Sequence, residues 1–507
     1  MRRTTSKGKW LTGAAAALAL LTASACGNDN EQQASGSASG GSGASSAASS
    51  QKAEGGGSLA PVKLVWYMPM NEMPADLANV QAEANKIIGE KINATVELKV
   101  IPSFGDYNDK MNTTLVAGEQ VDLMWTSNWS FDYLQNQEKD AFAELNALID
   151  QYAGGLKDSL PAFVWDAVKV KGGIYAVPNY QTITNREGFV IQKPYVDKYN
   201  LDISAIKKLA DIEPFLQQLK ENEPGLTPFP MARGGAWFTH YEGFEEIAKN
   251  MSIGIRLDDP HTVVDFDQAP ERKAFWDMQR RWMKNGWVND DAAVVKQGPK
   301  GPVGGNNVLK PGGEAEAKIQ NGGTDVVYAP LTEAFVNTNS ITTTMTAISR
   351  TSKNPERAMM LINLVNTDPA LYRLLSYGIE GKHYTLNADG TMHVNAGSGY
   401  AASDWAIGNV FNGYVLEGKD PGVFDATEKE NENAAPSPIL GFQFDVGPVS
   451  SELANLQTVE DEYYPALNTG AIDASKEADY LEKRKKAGVD KVIAEIQKQL
   501  DAWYASK

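Results

Sequence analysis

The residues of this chain best suited to meet a ligand are aromatics set beside amides and carboxylates at the ends of short apolar runs. Trp66 and Tyr67 close one such run, with Asn71 and Glu72 in the loop after it; Trp125, Asn128 and Trp129 close another. An aromatic face stacks on the C–H face of a sugar ring, and a neighbouring amide or carboxylate takes the hydroxyls. A buried hydroxyl left unpaired costs about 1–3 kcal/mol, so the polar groups would set selectivity. Tyr180 follows the proline that ends a third run, and Arg233-Gly234-Gly235-Ala236-Trp237 is a glycine-loosened loop that offers Arg233 and Trp237. Each has a plainer alternative. Of two adjacent strand residues one usually faces inward, so Trp66 or Tyr67 belongs to the core, and Arg233 can pair with a surface acid. Glu380 and His383, near Tyr377, serve equally well as packing at a junction. Trp276 and Trp282 lie at helical spacing and read as core.

Other chemistries find little support. The single cysteine, Cys26, excludes an intramolecular disulfide and a thiolate zinc cluster. The four histidines, His240, His261, His383 and His393, form no i,i+4 pair of the zinc-protease kind. Gly298 to Gly313 is rich in Gly and Pro but lacks the Gly-Lys-Ser/Thr of a phosphate-binding loop. Asn387-Ala388-Asp389-Gly390-Thr391 begins like a calcium loop without its remaining ligands, and reads as a hairpin turn. No cofactor and no required metal are expected. With 64 acids against 47 Lys and Arg, the formal net charge is −17, which argues against nucleic acid as a partner.

The elements that position these residues follow from periodicity. From Val62 the chain reads strand (62–67), helix (76–88), strand (94–101), helix (107–117), strand (121–125), a pattern that implies a parallel sheet joined by right-handed crossovers. Ligands of such sheets lie beyond the carboxyl ends of the strands, where Trp66 and Trp125 fall. Gly172 to Pro178 reads as a hairpin turn and strand. Helices are expected over 207–220 and 271–285, from the Asn354-Pro355 cap to Leu364, and at the C-terminus. There Val489, Val492, Ile493, Ile496, Leu500 and Trp503 form one apolar stripe, suited to docking on the body of the same chain. At 507 residues the chain is long enough for two or three domains.

Residues 1–25 carry Arg2, Arg3, Lys7 and Lys9 before the apolar run Leu11 to Leu21, which is too short to span a bilayer and reads as an export signal. Ala23-Ser24-Ala25-Cys26 resembles the lipobox of bacterial lipoproteins, which implies a diacylated Cys26 as mature N-terminus and membrane anchor. It departs from that box in having Ala23 where leucine is usual. The Gly/Ser/Ala-rich stretch 26–60 is expected to be a flexible linker. Removing four cations and no acids deepens the net charge to −21.

In order along the chain then come Val121-Asp122-Leu123-Met124, Gly173-Ile174-Tyr175-Ala176-Val177-Pro178, Tyr195-Val196-Asp197-Lys198-Tyr199, Ile348-Ser349-Arg350 through Arg357-Ala358, and Tyr377-Gly378-Ile379-Glu380-Gly381-Lys382-His383-Tyr384. Together they resemble the extracellular solute-binding lipoproteins of ABC importers, in the long oligosaccharide-type subgroup with an extra C-terminal domain. The resemblance implies an α/β, two-lobed periplasmic-binding-protein-like fold with a hinge and an interlobe cleft. It places lobe one at 61–180 plus 342–380 and lobe two at 181–341 plus 381–507 with the C-terminal extension, the chain crossing near Tyr180, Ile341 and Glu380. It implies a monomeric binding protein, not an enzyme, that captures an oligosaccharide by hinge closure and hands it to the membrane subunits of an ABC permease. A peptide or other solute on the same fold, and a surface-attached polysaccharide-degrading enzyme, remain the alternatives.

Overall fold

A computed structural model of the chain describes residues 59–507 apart from Trp237 and Gln297. The export signal, Cys26, nearly all of the linker, and Trp237 therefore lie outside the described residues. The strand–helix–strand–helix–strand unit is present as Val62–Pro69, Leu77–Ile92, Ala94–Ile101, Phe104–Val116 and Leu123–Thr126. Ser103 caps the second helix, accepting the Asp106 N–H at 3.1 Å, so that helix starts at Phe104 and not at Tyr107 as periodicity alone suggested. The first sheet has five strands in the spatial order 94–101, 62–69, 123–126, 345–348, 176–178. The first three are parallel, and 345–348 runs antiparallel to both of its neighbours.

A second, antiparallel sheet joins 303–306, 188–192 and 326–330, and a third joins 259–265, 253–256 and 244–248. The strand Val303–Asn306 lies inside the Gly/Pro-rich stretch that had read as loop. Each sheet anchors its own apolar core. Trp276 and Trp282, on helix Pro270–Lys284, are in the second core as expected. In the third, Val489, Val492, Ile496 and Leu500 of the terminal helix pack with Ile253, Ile255 and Val263, so the apolar stripe does dock on its own chain.

A buried ionic network ties the C-terminal helices to this part of the molecule. Arg272 Nε donates to Asp267 Oδ1 (2.9 Å), and Arg484 lies 2.9 Å from Asp265 and 3.0 Å from Asp267, and contacts Glu460. Tyr480 Oη donates to Asp267 Oδ2 (2.6 Å) or Glu460 Oε2 (2.7 Å), which it also faces. Such charges are tolerated in the interior because they neutralise one another.

Three passages of chain meet in a narrow ladder between the first core and the other two. Asn185 and Phe335 exchange backbone hydrogen bonds (2.8 and 2.9 Å), and Phe335–Val336 pairs in parallel with Ala435–Pro436. The sequence reading put the third passage near Glu380. In the structure the chain stays with the first core beyond that point: Ala406 and Ile407 are part of it, Tyr372 Oη donates to Asp404 O (3.1 Å), and Arg373 Nε donates to Asn412 O (2.8 Å). Aromatic contacts of Tyr377 with Tyr384 and Tyr414 hold the intervening hairpin there.

Candidate functional site

Strand Leu123–Thr126 ends, and the antiparallel strand Met345–Ile348 begins, at the same edge of the first sheet, so the loops 127–132 and 342–344 meet. Ser127 Oγ accepts the N–H groups of Trp129 (3.1 Å) and Ser130 (2.9 Å) and donates to Ser130 O (2.8 Å), closing a tight turn. Trp129 Nε1 donates to Thr343 O (2.9 Å), which fixes one edge of the indole while 46% of the residue stays exposed. Asn128 lies beside it, its side-chain amide donating to Asn339 O (2.7 Å) and its backbone carbonyl accepting from Lys249 Nζ (3.2 Å).

Two half-buried rings complete the platform. Phe104, in the first turn of its helix, stacks on Trp405 (5.1 Å between centroids, 21° between planes) and lies 5.7 Å from Trp129. Trp125 stands edge-on beneath, 5.3 Å from Trp129 and 5.6 Å from Phe104. The Thr344 hydroxyl links these parts: it accepts from Trp125 Nε1 and Asn179 Nδ2, both at 2.9 Å, and donates to Trp405 O (3.2 Å). Asn179 also donates to Ala406 O (3.0 Å) and accepts from Gly408 N (3.1 Å), holding the loop that carries Trp405. An exposed indole backed by half-buried rings on a rigid hydrogen-bonded base is suited to the C–H face of a sugar.

The residues expected from the sequence divide into two groups. Trp129 and Asn128 are at the platform, and Asn71 and Glu72 stand exposed beside Met73 in the loop leaving the same sheet edge. Trp66, Tyr67, Trp125 and Tyr180 are corrected to core positions, each at most 5% exposed. The reason for Trp66 and Tyr67 is that their strand pairs on both sides in a sheet covered on both faces, so neither alternate position faces solvent. The Tyr67 phenol donates to Glu119 (3.0 Å), and burial together with that carboxylate pushes it up to about 12. Tyr180 packs edge-on against Phe411 at 5.1 Å.

Arg233 is exposed at a separate recess with Tyr464 and Asp461. Glu380 is exposed in the turn before Tyr384. His383 is a corrected position too: it is buried, its Nδ1 accepting the Ile379 N–H (2.8 Å) and its Nε2 lying 3.0 Å from Asp76 Oδ2. It holds a turn to the start of helix Leu77–Ile92. Phe104, Trp405, Thr344 and Asn179 were not picked out from the sequence. The cap at Ser103 was a usable signal for Phe104; nothing local marks Trp405, which reaches the platform from far along the chain.

Residues 387–391 form the expected turn between strands Tyr384–Leu386 and Met392–Val394, with Asp389 Oδ1 accepting from Thr391 N (3.0 Å). Among the described residues no group of three or more His, Cys, Asp or Glu is placed to hold a metal ion, and no helix is long and apolar enough to cross a membrane.

With this arrangement in view, residues 74–371 match the family described as bacterial extracellular solute-binding protein, and residues 438–505 match a domain family of unknown function, DUF3502. The chain belongs to the bacterial extracellular solute-binding proteins. It is 30% identical over 462 residues, 86% of its length and 90% of the relative's, to a carbohydrate ABC transporter substrate-binding protein of Streptococcus pneumoniae serotype 4 (strain ATCC BAA-334 / TIGR4). Its structure is similar to that of the N-glycan transport solute binding protein NgtS of Streptococcus pneumoniae, with a TM-score of 0.79 and 28% identity over 87% of this chain and 99% of that one. Against NgtS in complex with Man1GlcNAc and with Man5GlcNAc the TM-scores are 0.69 and 0.68 at 26% and 27% identity, over 87% and 88% of this chain and 99% of each of those. The fold is thus the two-lobed one, with a hinge and a cleft between the lobes.

Proposed function

We propose that this protein captures an oligosaccharide in the interlobe cleft by hinge closure and delivers it to an ABC permease, binding it without turnover. The observation that carries the reading is the Phe104–Trp129–Trp405 platform, with Trp129 exposed and the other two rings half-buried at the carboxyl edge of the first sheet, where a two-lobed binding protein meets its ligand. The carbohydrate-transport relatives support the same substrate class. Ligand then shifts the population toward the closed form by its differential affinity, about 5.5 kcal/mol for a nearly complete swing.

Lobe one is assigned to 61–180 and 342–380 with the hairpin and loop 384–414 that pack on it, and lobe two to 181–341 with the C-terminal extension. Cys26 is assigned as the diacylated N-terminus after loss of residues 1–25, with 26–60 as the tether of a monomer on the outer face of the cell membrane. Two chains per anchor are what stable membrane attachment needs.

Isothermal titration of the chain from residue 27 onward against neutral oligosaccharides tests the binding claim. One should bind at micromolar Kd or tighter and be recovered intact, and no binding across a broad panel, or cleavage of the ligand, would overturn it. For the anchor, Cys26→Ser should abolish incorporation of a labelled fatty acid and release the protein into the medium. Retained label would remove Cys26 from that role.

A further inference from the structure

Trp405 has a second use. Besides the platform it walls a recess of ≈ 340 Å³ shared with Phe411, Gln181, Lys310, Glu316 and Lys419. That volume is at the small end of ligand sites, which run from about 300 to 1,000 Å³, so it fits one end of an oligosaccharide and not its length. The two oxygens of Glu316 face Lys310 Nζ and Lys419 Nζ, both at 2.8 Å. Burial pushes the Glu316 carboxyl up, but the two ammonium groups outweigh it and hold the carboxyl below its usual range. Asp404 stands in the same wall, accepting its neighbour's N–H, that of Trp405, at 2.8 Å. Phe411 is braced by Tyr180 and, at 5.7 Å, by Phe424. The recess is therefore ready-made: a ring on either side and an acceptor clamped between two donors.

We propose that this recess is an end subsite of the glycan site, built for a neutral terminal sugar whose adjacent hydroxyls are read by Glu316, Lys310 and Lys419 while its apolar face lies on Trp405. A sugar hydroxyl both donates and accepts, so a pair of them is matched by one carboxylate flanked by two ammonium groups. A sugar bearing a carboxylate is excluded by the same groups. The two lysines already have a counter-charge in Glu316, so an added carboxylate meets that like charge and no unpaired cation of the trio. Trp405 belongs to the first core's side of the hinge, whereas Lys310 and Glu316 border the second sheet, so a sugar here touches both lobes.

The proposal rests on the oligosaccharide reading, and its test separates the two. The wild-type protein and the variants Glu316→Gln and Lys419→Gln are titrated with Man1GlcNAc and Man5GlcNAc, with melting curves taken alongside. Wild type is also titrated with versions of the glycan it binds in which the sugar at either end carries a uronic acid. If the wild type binds neither glycan nor any other neutral oligosaccharide, the functional reading itself fails. If it binds, each variant should lose about tenfold or more in affinity for that glycan with its melting temperature within a few degrees of wild type, and one of the two end substitutions should weaken wild-type binding at least as much. Lys419 is the most buried of the trio and Glu316 the most exposed, at 17% and 42% of their side chains, so Glu316→Gln still reports if Lys419→Gln fails to fold. Affinities within twofold of wild type in a folded variant, or equal binding of both uronic versions, would overturn the subsite.

Discussion

Replacement of Trp129 by alanine is the sharpest probe of the platform, and its size can be worked from burial. With 46% of the residue exposed and a tryptophan surface of roughly 250 Å², about 115 Å² is left for a ligand to cover. At about 25 cal/mol per Å², complete cover contributes at most about 3 kcal/mol, and half cover about 1.5 kcal/mol. Kd should therefore rise roughly 10- to 100-fold, read by isothermal titration with whichever oligosaccharide the wild type binds. The buried share, about 135 Å², sets a loss of stability of at most about 3 kcal/mol, reduced by the area already hidden in the unfolded chain. Trp125→Ala is the matched control: that ring is 1% exposed, and truncating a fully buried aromatic costs about 3–5 kcal/mol. The first variant should lose affinity at a stability loss of no more than about 3 kcal/mol, and the second should lose more stability than the first. A folded Trp129→Ala protein that binds within threefold of wild type would refute the stacking face.

In the third core, Arg484→Ala would leave Asp265, Asp267 and Glu460 crowded without their main counter-charge, a loss of about 3–5 kcal/mol visible in urea denaturation; an unchanged midpoint would mean the network is not holding the extension in place. Glu245, buried on strand Phe244–Ala248, is raised by burial from an ordinary 4.5 to about 7. The unfolded chain releases that proton first, so stability is full below about pH 4.5 and falls as pH rises to 7. Glu245→Gln should therefore melt higher than wild type at pH 7.5 and lose that advantage at pH 5; an equal gap at both would count against it. Chelator or added calcium should move the melting temperature by less than about a degree, the 387–391 turn being closed by its own hydrogen bonds, and a shift of several degrees would reveal a metal. In solution scattering, saturating glycan should still compact Trp129→Ala, whereas Glu316→Gln at saturation should compact less than wild type. The opposite ranking would place the closing contacts on lobe one.

Periodicity was enough for the first α/β unit because its apolar spacing and its glycines are local signals, and it located the loop containing Asn128 and Trp129. It misjudged Trp66 and Tyr67 because the rule that strand residues alternate in and out holds for a sheet with one wet face, and theirs has none. Strand Val303–Asn306 was hidden by two glycines in a four-residue strand, where propensity points to a loop and pairing with Gly188–Gln192 decides otherwise. Trp405 could not be read at all. Its place is set by Asn179 and Thr344, residues far away in sequence whose side chains hold its loop, and such long-range polar contacts leave no pattern in a single chain.

What closes the lobes is not what first holds the ligand. A contact made equally in the open and closed forms raises affinity but shifts no population, whatever its strength. The platform is of that kind, since Phe104, Trp129 and Trp405 all stand on the first core's side, each locked to it by ring contacts or hydrogen bonds. Closure must draw on contacts that tighten as the lobes approach, and Lys310 and Glu316, which already border the recess beside Trp405, are placed to tighten on a ligand held there. On the proposed lobe division the hinge is the ladder of three short segments at Asn185, Phe335 and Ala435, which has few hydrogen bonds to bend and so lets that difference act. The platform loop is itself joined to one of those segments, Asn128 donating to Asn339 O and Trp129 to Thr343 O. Trp129 is thus fixed on the first core's side, whereas Asn128 beside it already bridges to Asn339 and Lys249, so closure must tighten contacts that exist and not make all of them anew.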